Sequence, residues 1–249
     1  MKTQSNYSSS KQLFTGIATE LLSSRLELQL AGLPEKKAYA VWADVTATLK
    51  NLDKIFNPAD SQSELSLVNS SKVDIETSDT FREALNLCES YLITTGNLFD
   101  VSLGGRDELD FGGFVKGYAL RSISAILKSH RVKDAFVDFG HSNYIAIGKK
   151  PYADCWKVEI YNPDTDDLIK EYELSNASLS ITANTSEYSG HIINPLTRKA
   201  DETPKMSAVL CKDPLDADVL SLVLFIASAN QKADILRNYP AIVNEEIAL

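Results

Sequence analysis

The sequence predicts an α+β protein, with helices dominating its first half and antiparallel strands its second. Before Arg131, long stretches carry apolar residues three and four apart, the helical period. After it, short apolar segments are separated by turns. The two patterns do not alternate along the chain, as they would in a doubly wound parallel sheet.

Residues 25–30 set Leu26, Leu28 and Leu30 between polar neighbours, which predicts a half-buried strand. A helix follows over 34–55, with Pro34 in its first turn and Val41, Val45, Leu49 and Leu52 as its inner face. Residues 56–69 are turn chemistry running into a short helix, and a further helix spans 79–94 until Thr95-Gly96-Asn97 breaks it. Residues 99–103 read as a short extended piece, and 104–113 are dense in Gly and Asp. The helix over 114–129 shows Val115, Ala119, Ile123 and Ile126 on one face.

Five strands are expected at 135–139, 144–147, 156–161, 168–174 and 178–181, with Asn162-Pro163-Asp164 as a hairpin turn. Residues 191–193 and 208–211 could add two more, followed by helices over 216–229 and 231–237. Trp42 and Trp156 read as core residues, and His130 as a helix C-terminal residue. The organisation expected is a flexible N-terminus over 1–12, a single domain over 13–240 and a C-terminal tail over 241–249.

The 249 residues, 44% hydrophobic and 24% charged, suit a folded domain or two intimately packed lobes. A formal net charge of −9, with no Lys/Arg run longer than a pair, argues against nucleic acid as a partner. Cys88, Cys155 and Cys211 lie far apart and have neither zinc-ligand nor disulfide-framework spacing. No apolar run reaches the roughly 18 residues of a membrane span. The polar, Ser-rich start has no signal-peptide core, so the chain reads as cytoplasmic, whereas a leader upstream would make it periplasmic.

Three stretches carry candidate chemistry. In LDFGGFVKGYA (109–119), Asp110 and two glycines precede a helix bearing Lys116 and Gly117. Gly112 and Gly113 let a backbone approach a ligand, the helix N-terminus offers free N–H groups, and Lys116 adds a point charge; together they suit a pyrophosphate. The same glycines would also serve a plain tight turn. GxxxxGK[ST] is not matched, and the kinase loops that should accompany Asp110-Phe111-Gly112 are missing.

In GHIINPLT (190–197), His191 is a candidate general base or a hydrogen-bonded structural histidine. In DPLDADVLS (213–221), three aspartates sit at a helix start, as dipole partners or as an oxygen site for Mg²⁺. Asp216 and Asp218 are two apart and point to different sides of that helix. His141, after Gly140 in VDFGHSN, stays undecided.

The order of these blocks resembles the ApbE-like family of FAD:protein FMN transferases over about residues 14–229. FNPADSQSELSLVN, FDVSLGG, LDFGGFVKGYA, VDFGHSNYIAIGKKP, and GHIINPLT with LDADVLSLVLF match its blocks in sequence. The resemblance implies a two-lobed fold of mainly antiparallel sheets flanked by helices. It also implies FAD as substrate with Mg²⁺ at its pyrophosphate, and a Ser or Thr of an acceptor protein that receives FMN as AMP leaves. By the same resemblance His191 is the base, Asp218 and the carbonyl of Ala119 ligate the metal, and Asp216 is the candidate to compensate for a missing ligand. Asp100, Gly112, Gly113, Lys116, Gly117, Ala119 and Gly140 line the cofactor.

Departures from the family pattern are Leu222 for a metal-binding Thr, Asn194 for Asp, Arg198 for Gly, His141 for Gly, and a short segment between FDVSLGG and LDFGG. Two further readings stand beside transfer: a flavin-binding scaffold without catalysis, and an FAD pyrophosphatase in which water replaces the acceptor.

Overall fold

The computed structural model describes residues 1–70, 76–103, 105, 108–162, 165–185 and 189–249. Strands β1 (Lys2–Ser8), β2 (Leu13–Leu21) and β3 (Ser24–Ala31) open the chain, followed by helices α1 (Glu35–Phe56), α2 (Glu64–Ser70), α3 (Asp79–Thr94) and α4 (Val115–Ser129). Then come β4 (Asp134–Phe139), β5 (Asn143–Ile147), β6 (Trp156–Tyr161), β7 (Leu168–Leu174) and β8 (Ala177–Asn184). The chain finishes with β9 (Ile193–Asn194), β10 (Lys199–Ala200), β11 (Lys205–Cys211), α5 (Pro214–Ile226), α6 (Ala229–Asn238) and β12 (Val243–Ala248). Among the described residues, no helix is long and apolar enough to cross a membrane.

Eight strands form one antiparallel sheet in the order β1-β2-β3-β4-β5-β8-β11-β12. Strand alternation divides the core between its two faces. On β4, Ala135, Val137 and Phe139 join the helices in the larger core, while Phe136 packs with the smaller one. That smaller core lies under the β6–β7 hairpin, where Trp156 and Leu174 are buried against Tyr144, Leu179 and Met206.

Several sequence expectations need correction. Residues 2–8 are not a flexible terminus: β1 pairs with β2 from Lys2↔Thr19 to Ser8↔Leu13. Residues 243–248 are not a tail, since β12 pairs with β11. Both are edge strands whose side chains are largely exposed, so no apolar alternation marks them. Residues 99–103 form turns rather than an extended piece, and His191 lies outside the short strand β9. Pro163 and Asp164 of the expected hairpin turn lie outside the described residues, but Asn162 N–H donates to the Asp167 carbonyl across that loop.

Helix α1 buries Val41, Val45, Leu49 and Leu52, the expected face. Pro34 precedes it as the N-cap residue. Trp42 and Trp156 are buried, and His130 caps α4 while its ring meets Asp44 at 2.7 Å.

Candidate functional site at the start of helix α4

The site is assembled where α4 begins, α5 crosses it, and the ends of β5 and β8 meet them. The crossing is unusually close. A Cβ on Gly117 would lie 2.6 Å from Asp218 Cβ and 2.9 Å from the Pro214 carbonyl oxygen, so only glycine fits between the helices. That closeness lets Gly117 N–H donate to Asp218 Oδ2 at 2.7 Å.

Asp218 is 6% exposed. Burial pushes its carboxyl above the usual carboxylate range, against the opposing pull of the Lys116 ammonium and of bonds from Gly117, Asn143 and Ser180. Asn143 ties the group together. Oriented by its neighbours, its amide N–H donates to Asp218 Oδ1 at 2.9 Å and Ser180 Oγ at 2.8 Å, while its carbonyl oxygen accepts from Lys116 Nζ at 3.1 Å. Lys116 Nζ also donates to Ser142 Oγ at 2.7 Å. Beneath Asp218, Ser221 Oγ bonds the Asp218 carbonyl at 2.9 Å, and Ser180 and Thr182 at 3.0 and 2.8 Å.

These groups open on a cavity of about 650 Å³. Its walls include Lys116, Asp218 and His191, the residues expected to share a site, together with Asp100, Gly112, Gly113 and Gly140. A second cavity of about 650 Å³ adjoins it, bordered in common by Leu103, Asp110, Gly112 and Lys116. Asp110 Oδ1 accepts from Gly112 N–H at 2.7 Å, and Asp100 Oδ1 from Ser102 N–H at 2.8 Å, so both loops are braced by their own aspartate.

His191 stands before the β9–β10 hairpin. The turn is closed by Arg198 N–H donating to the Asn194 carbonyl at 2.7 Å, while Asn194 Oδ1 accepts from Leu196 N–H at 3.0 Å. Next to His191, Ile192 is buried and its carbonyl accepts from Asp201 N–H. Partial burial, helped by the Lys116 charge, holds the imidazole below its ordinary value. The ring is therefore neutral near pH 7, the form that accepts a proton.

Three expected site residues do not face the cavity. Gly117 lies beneath its wall and acts through its N–H. Ala119 is fully buried one turn into α4, where a helical carbonyl is taken by the N–H four residues on. Asp216 points away: its Oδ1 accepts from the Tyr91 hydroxyl at 2.5 Å, and Arg121 reaches it at 3.9 Å while pairing with Asp213 at 2.8 Å. Turning by two helical residues carries Asp216 to the α3 side while Asp218 faces the cavity.

The side chains at this wall fit magnesium poorly. Among the described residues, no three His, Cys, Asp or Glu side chains stand close enough to share an ion. Mg²⁺ asks for near-octahedral oxygen ligands. Asp218 instead receives N–H donors on both oxygens, and one turn further along α5 the cavity wall is the apolar Leu222.

Sequence reasoning missed Asn143, Ser180 and Ser221. Asn143 did leave a signal: it is the one polar residue in NYIAI apart from the tyrosine hydroxyl, and it is 2% exposed. A buried amide in an apolar strand demands partners, and those partners are the site.

The fold and cleft define an α+β protein with a cavity at a helix start, lined by Lys116, His191 and Asp218. The ApbE family profile matches residues 105–243, more than half of the chain, and the chain belongs to the ApbE family. Over 190 residues it is 26% identical to the FAD:protein FMN transferase of Treponema pallidum (strain Nichols), covering 66% of this chain and 52% of that protein. The chain thus spans about half the length of the curated relative it matches. The solved flavin transferase ApbE from Vibrio cholerae superposes with a TM-score of 0.78 at 13% identity, over 95% of this chain and 97% of that one. The apo flavinyl transferase ApbE of Pseudomonas stutzeri gives 0.73 at 19% identity, over 99% and 94%. The ApbE protein of Thermotoga maritima gives 0.77 at 16% identity, over 92% and 91%. At these identities the structures share the fold.

Proposed function

We propose that this chain transfers FMN from FAD to a Ser or Thr hydroxyl of an acceptor protein, releasing AMP. The observation that carries the reading is the convergence of Lys116, His191 and Asp218 on one cleft at the start of α4. Family membership and the relative's activity support it.

The linked phosphates of FAD rest against Lys116 and the α4 N-terminus, where an ammonium and a helix dipole favour negative charge. The acceptor oxygen attacks the FMN-side phosphorus. A new P–O bond forms to the acceptor, the bond from that phosphorus to the bridging oxygen breaks, and AMP departs with the bridging oxygen. Neutral His191 takes the proton the hydroxyl gives up. Such transfer depends on in-line positioning and charge neutralisation more than on covalent chemistry by the protein. Magnesium, which the family resemblance brings with FAD, would meet Asp218 at the Lys116 side of the cleft and would neutralise the phosphates there. Asp218 and Leu222 suit it poorly, and the transfer step needs only Lys116, His191 and the α4 N-terminus.

The test is to incubate the full chain with FAD and a Thr-bearing acceptor domain, with and without a chelator, and weigh the acceptor. An acceptor heavier by one FMN less one water supports transfer. FMN and AMP formed without acceptor support hydrolysis instead. The apolar Leu222 beside Asp218 favours a third outcome, a flavin-binding protein without catalysis, recognised by FAD that stays bound and intact.

A further inference from the structure

We infer that Lys116, held in place by Asn143, is the resident cation of this cleft, and that the cleft takes linked phosphates without a divalent metal. The inference rests on the reading that a dinucleotide's phosphates enter this site.

Asn143 sits between two opposite charges and satisfies both. It donates to Asp218 Oδ1 and accepts from Lys116 Nζ, with Ser180 as its second acceptor. Asp218 turns Oδ2 to Gly117 N–H and Oδ1 to the Asn143 amide. An ammonium has three donors. Lys116 gives one to Ser142 and one to Asn143, which leaves a third for a phosphate oxygen at the cavity wall. Leu222, which packs toward Gly113 at the same wall, supplies no oxygen. Asn143 is therefore a positioning residue. It fixes the lysine, and it keeps the buried carboxylate engaged by an amide where a second carboxylate would call for a cation.

Titrating metal itself distinguishes metal-free phosphate binding from flavin binding. Calorimetry of the full chain with Mn²⁺, alone and with ADP as a linked-phosphate probe, is expected to show no stoichiometric uptake. FAD affinity, read by flavin fluorescence, should change by less than about twofold between chelator and millimolar Mg²⁺. Asn143→Asp sets a second carboxylate beside Asp218, and this variant should gain Mn²⁺ uptake that the parent lacks. Asn143→Ala should weaken ADP binding by about tenfold in chelator; circular dichroism checks its folding. Stoichiometric Mn²⁺ uptake by the parent chain that Asp218→Asn removes would overturn the inference. So would FAD binding that falls tenfold or more in chelator. If FAD binds under neither condition, the flavin reading fails while the Mn²⁺ and ADP titrations still decide this one.

Discussion

The backbone N–H of Gly117 donates to the side chain of Asp218, 101 residues further on, at 2.7 Å. This bond joins the first turn of α4 to α5, and the cleft opens over it. It exists only because position 117 has no side chain.

Gly117→Ala should therefore behave opposite to helix propensity. Ala in place of Gly in an exposed helix gains about 1 kcal/mol. Here the added carbon would meet Asp218 Cβ at 2.6 Å and backbone atoms at 2.9 and 3.0 Å. Forcing the helices apart should cost about 1–3 kcal/mol. Urea unfolding of both proteins measures the sign, and a more stable variant would contradict the packing described.

His191→Ala should lower the transfer rate by about 10²–10⁴-fold while FAD affinity is kept. The parent's rate should fall on the acid side as the base takes up a proton. Because burial and the Lys116 charge lower the imidazole from its ordinary value, that acid limb should lie below that of a free imidazole. A pH profile of transfer at limiting FAD locates it, and a profile with no acid limb would show a different base.

Asp216→Ala should weaken the fold and leave ligand binding alone. It strips the Tyr91 hydroxyl of its acceptor and loosens Arg121, at a cost of about 1–3 kcal/mol. Denaturation together with FAD titration checks both halves. A large loss of FAD affinity with unchanged stability would return Asp216 to the site.

His141 adopts φ +53, a left-handed conformation costly for any residue but glycine. Asp138 offsets the cost by accepting from His141 N–H at 2.8 Å and bonding its ring Nδ1 at 2.7 Å. His141→Ala keeps the strain and loses the ring bond, and should be less stable by about 1 kcal/mol. His141→Gly should recover most of that loss by relieving the strain. Melting temperatures of the three proteins give the order, and Ala above Gly would refute the account.

The sequence made the buried parts legible. The inner face of α1 repeats at helical spacing, and Leu26, Leu28 and Leu30 alternate, because each element packs against one core. The edges were hidden for the converse reason: KTQSNYS in β1 touches solvent on most of its side chains. In the site, Lys116, His191 and Asp218 stood out because their motifs carry charge or glycine in a recognisable order. Asn143, Ser180 and Ser221 did not, since their part in the site depends on how β5, β8 and α5 come together. Arg198 and His141 both occupy positive φ where the family pattern has glycine. Those two departures are therefore backbone substitutions first and chemical ones second.

The most direct measurement is a fluorescence titration of FAD against the full chain and its Lys116→Met variant. The account predicts saturable, stoichiometric binding by the parent that weakens by about ten- to a hundredfold in the variant, the worth of a hydrogen bond to a charged group. Equal affinity in the two proteins, or no binding by the parent, would contradict a phosphate-holding cleft at the start of α4.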